Sequence, residues 1–172
     1  MSEWACVSVA SNIDPERNIE RALERLAETA RLQRVSRFFV TAPIDRPEQG
    51  DYLNGMARIE GDWTPEALKF EVLRPIERAL GRTRTADKYA ARTLDLDITI
   101  FGNRVLREAA LEIPDPDVRT RPFLAAALLD LEPDIILPDT GRRLAEEVDV
   151  AVLRTLRVAE DFTRRMQERW KS

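Results

Sequence analysis

The sequence has no histidine and only one cysteine, Cys6, among its 172 residues. Without histidine, the chain cannot build a Ser-His-Asp or Cys-His nucleophilic site, a histidine general base or the usual zinc sites. One cysteine forms neither an intrachain disulfide nor a cysteine-based metal site, and Cys6 lies in an apolar run that is typical of a buried residue. Any catalysis must therefore depend on carboxylates, lysine, arginine, hydroxyl groups or a bound metal.

Long hydrophobic runs and an excess of positive charge are also absent. No stretch approaches the roughly 18 consecutive apolar residues of a membrane span, and the N-terminus has no basic region before its apolar part. The net charge of −4 gives no reason to expect general nucleic-acid binding. The composition predicts a cytoplasmic protein of one domain that binds neither membranes nor nucleic acids, with 44% hydrophobic residues for its core.

Hydrophobic periodicity predicts the order strand, helix, strand, strand, helix, strand over the first hundred residues. The predicted strands are residues 4–10, 32–43, 53–63 and one within 91–103. The two helices are expected to begin after Asp14 and Thr64, because each is a good capping residue followed by proline. Pro75 is expected to kink or divide the second helix. This order predicts an α+β fold, a mainly antiparallel, ferredoxin-like sheet with helices packed on it.

The C-terminal third is less regular. Residues 112–123 contain three prolines and predict a loop, and residues 123–131 predict a buried helix. Residues 142–170 alternate apolar and charged positions at helical spacing, which predicts one or two surface helices.

The stretch ARTLDLDITIFGN, residues 91–103, alternates as a strand does but has Asp95 and Asp97 on one face. Side chains two residues apart on a strand point to the same side, with Cα atoms about 6.5–7 Å apart. Two unpaired carboxylates at this distance repel each other, and Mg²⁺ would remove that conflict; two ions about 3.5–4 Å apart could share the pair. A half-exposed strand with solvated aspartates is the alternative, and the stretch alone favours it.

The loop before this strand, residues 82–92, makes the metal site more favourable relative to the solvated strand. Its charged residues are Arg82, Arg84, Lys88 and Arg92 against Asp87. Such a loop alone would usually be solvated, but here it leads directly into the carboxylate pair. Phosphates bridged by Mg²⁺ would satisfy both signs of charge. The combination favours a polyphosphate site.

These residues resemble the 6-hydroxymethyl-7,8-dihydropterin pyrophosphokinases of the folate pathway. The Arg-rich loop followed by RTLDLDI, residues 92–98, and FGN, residues 101–103, carries the resemblance. It extends through SNID at 11–14, TAPI at 41–44, DYLNG at 51–55, IPDPDVRTRPFL at 113–124 and EPDIILP at 132–138. It implies one domain over residues 1–172, in which about 150–172 form a helical extension that the resemblance does not explain.

The resemblance implies transfer of pyrophosphate from ATP to 6-hydroxymethyl-7,8-dihydropterin, with release of AMP and two Mg²⁺ ions at Asp95 and Asp97. The catalytic residues would be Arg82, Arg92, Asp95 and Asp97. The ATP-binding residues would be Glu77, Arg84, Lys88, Tyr89, Ile98, Asp115 and Arg121. The pterin-binding residues would be Thr41, Pro43, Tyr52, Asn54 and Phe123. The expected state is a monomer or a weak homodimer.

Without the resemblance, several of these side chains would be interpreted as ordinary packing or surface residues. Tyr52 and Phe123 would be packing residues instead of the two faces of a pterin sandwich, and Glu77 would be a surface glutamate. Asn54, by resemblance, reads the edge of the pterin ring.

Five positions depart from the family pattern. Ala10 replaces glycine, Tyr89 replaces tryptophan, Ala90 and Ala91 replace Gly-Pro, and Asp115 replaces histidine. Alanine at position 10 is costly only if the backbone there needs a positive φ or a close ligand approach. Asp115 is expected to weaken ATP binding. It could ligate or hydrate a metal, pair with Arg119 or Arg121, or turn to solvent, and pairing with one of these arginines is the expected relief.

Three hypotheses follow. The favoured one is an active pterin pyrophosphokinase. The second is a non-catalytic or substrate-shifted relative that binds a pterin or nucleotide. The third is an RNA-binding or regulatory α+β module, which the acidic charge and the lack of an aromatic and basic sheet surface disfavour.

Overall fold

An antiparallel sheet organises the chain in the computed structural model, which describes residues 1–83 and 85–171. Its strands are β1 (Glu3–Ser11), β2 (Arg31–Val35), β3 (Phe39–Thr41), β4 (Tyr52–Gly61) and β5 (Asp95–Phe101). The strand order is β2-β4-β1-β5, and β3 also pairs with β4. Strand β1 is antiparallel to both β4 and β5. The predicted α+β sheet is therefore confirmed, although the second predicted strand, 32–43, is divided into β2 and β3.

A separate hairpin and eight α-helical elements complete the described chain. The hairpin consists of β6 (Leu106–Glu108) and β7 (Leu111–Ile113), and the sequence pattern did not predict it. The helices are α1 (Pro15–Thr29), α2 (Pro65–Ala67), α3 (Arg74–Ala79), α4 (Asp117–Thr120), α5 (Pro122–Leu131), α6 (Leu144–Glu147), α7 (Val150–Leu153) and α8 (Glu160–Arg169). Within this part of the chain, no helix has both the length and the apolar character to cross a membrane.

The two predicted helix starts differ in their capping. Thr64 caps α2 as expected, because its Oγ1 accepts a hydrogen bond from the N–H of Ala67 at 3.1 Å. Asp14 precedes α1, but its φ of 42° lies in the left-handed region and its side chain makes no capping bond. Asn18 of α1 instead reaches back and donates from Nδ2 to the carbonyl of Ile13.

A π-helical segment, Leu68–Leu73, joins α2 to α3. The N–H of Arg74 donates to the carbonyl of Lys69, five residues earlier, and Pro75 follows as the second residue of α3. Leu68 and Leu73 are both fully buried, a spacing of five that a regular α-helix would not place on one face. The wider π-helical turn rotates the helix that follows it, so that the first turn of α3, with Glu77, faces the sheet.

A β-bulge in β5 decides which face each of its side chains uses. Val7 of β1 pairs with Ile98 and Cys6 pairs with Ile100, so Thr99 is an extra residue on β5. Ile98 lies in the core beneath α1, whereas Ile100 lies in the second core, beneath α5. Asp95 and Asp97 alternate with residues of the first core, so they point to the other face of the sheet.

Residues 142–170 form surface helices as predicted, although there are three, α6, α7 and α8, instead of one or two. The last of them, α8, packs its buried face into the first core. Phe162 and Met166 are each 1% exposed. The ring of Phe162 meets that of Phe38 edge-on, with centroids 4.9 Å apart. The apolar stripe of α8 is narrow and the rest of the helix is highly charged, so the sequence did not indicate that this helix contributes to the core.

Candidate active site

Asp95 stands at the start of β5 between two arginines. Arg82 Nη1 lies 2.6 Å from Asp95 Oδ1, and Arg92 Nη1 lies 2.8 Å from Asp95 Oδ2. Arg82 also forms an ion pair with Glu77. The side chain of Arg82 is 9% exposed and that of Glu77 is 2% exposed. Paired charges this deeply buried hold one another in fixed positions.

Glu77 is therefore a buried partner of Arg82 and not a surface residue. Burial raises the pKa of Glu77, the charge of Arg82 opposes this shift, and Asp95 adds to it. Glu77 also accepts a hydrogen bond from the N–H of Leu96 at 3.3 Å. It links α3 to β5 and fixes the guanidinium of Arg82 against Asp95.

Asp97 is mostly buried and differs from Asp95 in its partners. Within residues 1–83 and 85–171, no cation lies at ion-pair distance from its carboxylate. Burial raises the pKa of Asp97 to about 7, the charge of Asp95 adds to this effect, and Lys69 opposes it. The two aspartates thus differ: Asp95 is paired with two arginines, and Asp97 has no cation at ion-pair distance among the described residues.

Two clefts border this pair. The first, called here the tyrosine cleft, has a volume of about 280 Å³. It is lined by Pro43, Ile44, Tyr52, Lys88, Tyr89, Arg92 and Arg121. The second, the aspartate cleft, also has a volume of about 280 Å³. Its lining includes Lys69, Asp97, Ile98, Asp115 and the hairpin residues 108–112. Asp95 contacts Arg92 of the first cleft and shares a strand face with Asp97 of the second.

Of the predicted pterin residues, Pro43 and Tyr52 line the tyrosine cleft, whereas Thr41 and Asn54 are not part of its described lining. Thr41 of β3 pairs with Tyr52 of β4, and Asn54, 5% exposed, donates from Nδ2 to Thr41 Oγ1 at 2.8 Å. Burial raises the pKa of Tyr52, with Arg92 opposing, which places Tyr52 near the ion pairs. Phe123 is half-buried against the second core and is not part of the described lining of this cleft.

The predicted ATP residues divide between the two clefts. Lys88, Tyr89 and Arg121 line the tyrosine cleft, whereas Ile98 and Asp115 line the aspartate cleft. Ile98 is also buried in the core beneath α1. Arg84 lies outside the described residues.

Sequence reasoning missed the residues that tether the cationic loop. Asn12 Oδ1 accepts from the N–H of Arg92 at 2.8 Å, and Asn12 Nδ2 donates to Gln49 Oε1 at 2.9 Å. Gln49 in turn donates to the carbonyl of Tyr89. Asn12 belongs to the SNID segment, which was a signal for its position but not for this role. Nothing in the sequence pointed to Lys69 as a cation whose charge acts on Asp97.

The expected relief of Asp115 by an arginine is wrong. Arg119 pairs with Asp139 and Glu147, each at 2.7 Å, and Arg121 pairs with Asp117 at 3.2 Å. Asp115 instead accepts a hydrogen bond from the N–H of Asp117 at 2.9 Å. Burial raises the pKa of Asp115, and in its ionised form this carboxylate adds negative charge to the aspartate cleft.

Ala10 sits without strain. It pairs with Asn54 of β4 and with Asp95 of β5 in regular strand register. Its φ is not among the positive values of the chain. The backbone conformation at this position therefore does not require glycine.

The chain is similar to known proteins in sequence and in fold. A family model described as 7,8-dihydro-6-hydroxymethylpterin-pyrophosphokinase (HPPK) matches residues 6–133. The chain is 38% identical to the 2-amino-4-hydroxy-6-hydroxymethyldihydropteridine pyrophosphokinase of Pseudomonas aeruginosa over 150 residues, 85% of this chain and 90% of that protein. The enzyme of the same name from Synechocystis is 35% identical over 151 residues, 84% of this chain and 76% of that protein.

A solved structure of Plasmodium falciparum HPPK-DHPS with STZ-DHP has the same fold. Its TM-score is 0.65 at 13% identity, and the match covers 90% of this chain and 42% of that chain. This chain thus spans less than half of that longer protein.

Proposed function

Because the chain belongs to the 7,8-dihydro-6-hydroxymethylpterin-pyrophosphokinase family, we propose that it transfers pyrophosphate from ATP to 6-hydroxymethyl-7,8-dihydropterin. The hydroxymethyl oxygen attacks the β-phosphorus of ATP, the bond from that phosphorus to the α,β-bridging oxygen breaks, and AMP leaves with the electron pair. The hydroxyl proton passes to solvent. The observation that carries the proposal is the pair Asp95 and Asp97 between an aromatic, cationic cleft and an acidic one.

Asp95 and Asp97 have the chemistry to hold Mg²⁺, and we propose two ions. The fit rests on Asp97, a buried carboxylate whose pKa is raised and which has no described cation at ion-pair distance. The described residues include no cluster of three or more potential metal ligands, so water and phosphate oxygens would complete the coordination, as Mg²⁺ prefers. Bound metal would neutralise the charge of the triphosphate.

The chain's own residues would position the substrates. Phosphoryl-type transfer depends mostly on positioning and on neutralising charge. Arg82 is held rigidly by Glu77 and would stabilise charge on the transferred group, while Arg92 connects that region to the tyrosine cleft. The flat pterin would stack on Tyr52, and Asn54 would read its edge. Phe123, which the resemblance assigns to the other face of the ring, lies outside the described lining of the tyrosine cleft.

The direct test measures AMP release from Mg-ATP with and without 6-hydroxymethyl-7,8-dihydropterin. We expect AMP only when both substrates and Mg²⁺ are present, together with the pyrophosphorylated pterin. Binding of both substrates without AMP would favour the alternative, a non-catalytic relative. The feature that supports this alternative is Asp115, whose carboxylate lines the cleft where the negative charge of the phosphates would lie.

Removing the charge of Asp115 should strengthen nucleotide binding. Asp115→Asn keeps an acceptor for the N–H of Asp117, and Asp115→His restores the residue type expected from the resemblance. Two like charges 4 Å apart repel by about 1 kcal/mol in water and more in a partly buried site. We expect both variants to lower the Kd for Mg-ATP about three- to ten-fold at low salt, with pterin affinity unchanged. Calorimetry would check this, and an unchanged or weaker affinity would mean that Asp115 contributes to the nucleotide site.

The cytoplasmic location, the monomeric or weakly dimeric state, the single-domain organisation and the lack of nucleic-acid and membrane partners stay predictions.

A further inference from the structure

The C-terminal segment outside the family match extends the sheet beside the pterin residues. The family match ends at residue 133. Residues 157–159 run along β3: the N–H of Val40 donates to the carbonyl of Arg157 at 2.9 Å, and that of Ala159 donates to the carbonyl of Phe38 at 2.8 Å. The backbone at 38–40 is therefore held from its outer side by a part of the chain that the family pattern does not include.

Thr163 of α8 adds a side-chain contact to the same backbone. Its Oγ1 accepts a hydrogen bond from the N–H of Phe38 at 2.9 Å, and the bond is buried. Thr163 is 5% exposed and Phe38 is fully buried. A buried N–H without a partner is unfavourable. The hydroxyl of Thr163 therefore fixes the position of Phe38.

From Phe38 the contacts lead to Asn54. The ring of Phe38 lies against Gly55, where a Cβ atom would come within 2.4 Å of it. Asn54 Nδ2 donates to the carbonyl of Phe39 at 3.2 Å and to Thr41 Oγ1 at 2.8 Å. The amide of Asn54 is thus oriented by β3, the strand that directly follows Phe38, which leaves its Oδ1 to accept from the donor-rich edge of a pterin.

We propose that Thr163 is a positioning residue for the pterin site: through Phe38 and β3, its hydroxyl sets the orientation of the Asn54 amide. The inference rests on the proposed function, in which Asn54 reads the pterin edge. It gives the C-terminal helix a role in the choice of substrate and not only in stability.

The test compares variants of one helix in the full chain. Thr163→Val keeps the shape of the side chain but removes its hydroxyl acceptor. Thr163→Ala removes both the acceptor and the bulk of the side chain, and Thr163→Ser keeps the acceptor. Arg169→Ala is the matched control, because Arg169 docks the same helix on α1 through Glu20 and Glu24 at 2.9 and 2.8 Å without contacting Phe38. We expect Val and Ala to raise the Kd and KM for the pterin at least about five-fold, with the KM for ATP within about two-fold. Ser and the control should stay within about two-fold of wild type.

A second measurement needs no substrate. The side-chain amide resonances of Asn54 in the free protein should shift in Thr163→Val and stay in place in Arg169→Ala. Unchanged Asn54 signals with an unchanged pterin Kd would overturn the inference and leave Thr163 a purely structural residue, whatever the change in Tm. Absence of AMP release by the wild type would count against the proposed function instead, while the resonances would still decide whether Thr163 orients the amide.

Discussion

Asp97→Asn should reduce turnover by about 10³-fold or more and at the same time stabilise the metal-free protein. The loss of activity follows because the variant lacks one of the two carboxylates proposed to hold Mg²⁺ at the phosphates. The gain in stability follows because the native carboxylate is buried beside Asp95 with no described cation at ion-pair distance. An amide of the same shape has no charge, so it avoids both the cost of burying a carboxylate and the repulsion from Asp95.

The pH dependence of this gain has a definite sign. The pKa of Asp97 is raised from 3.8 to about 7, so the folded protein retains a proton that the unfolded chain has released. The stability of the wild type therefore falls as pH rises from about 4 through about 7, and the penalty is complete above that range. Because the site is partly open to water, we expect a penalty of about 1–3 kcal/mol, below the value of a full three-unit shift.

Urea unfolding in the presence of EDTA would measure this effect. Asp97→Asn should exceed the wild type in free energy of unfolding at pH 8 and match it near pH 4. Added Mg²⁺ should stabilise the wild type at pH 8 more than the variant. A variant that is less stable than the wild type at pH 8 would contradict the assignment of Asp97 as an uncompensated carboxylate.

Asp95→Asn should cause a similar loss of turnover with the opposite effect on stability. Asp95 contacts Arg82 at 2.6 Å and Arg92 at 2.8 Å. Its replacement leaves the buried guanidinium of Arg82 short of one counter-charge. We expect the free energy of unfolding to fall by about 1–3 kcal/mol, since a buried charge that loses a partner is destabilising.

The same unfolding experiment at pH 8 compares the two variants directly. Asp134→Asn serves as a control, because Asp134 is 84% exposed and is part of the described lining of neither cleft. Its Tm and turnover should match the wild type. If Asp95→Asn and Asp97→Asn moved stability in the same direction, the division of the pair into a compensated and an uncompensated carboxylate would be wrong.

The sequence could predict the features that depend on neighbouring residues. Strand β5 and its aspartate pair follow from a period of two within one short stretch, and the cationic loop directly precedes it. The cap at Thr64 is likewise a local signal. The sheet follows from the order of the elements, because few topologies satisfy that order.

Other features depend on the direction in which a helix face points or on contacts between segments that are distant in sequence. Glu77 reads as a surface residue on an ordinary helix, and only the π-helical segment before it turns it inward. Asp115 has two arginines nearby in sequence, yet one of them, Arg119, is bound by Asp139 and Glu147 from a later part of the chain. Thr163 lies 125 residues from the N–H that it binds, a separation at which no sequence pattern acts.

The bulge at Thr99 also determines how β5 can change in the course of evolution. Ile98 and Ile100 are two residues apart, so in a regular strand their side chains would share one face. If Thr99 were paired regularly instead of bulged, either Ile100 would turn toward the α1 side, or Asp95 and Asp97 would turn into the first core. With the bulge, the half of β5 before Thr99 and the half after it can each vary with the residues that surround it. One strand thus contains two segments that can vary separately, and a single inserted residue is the boundary between them.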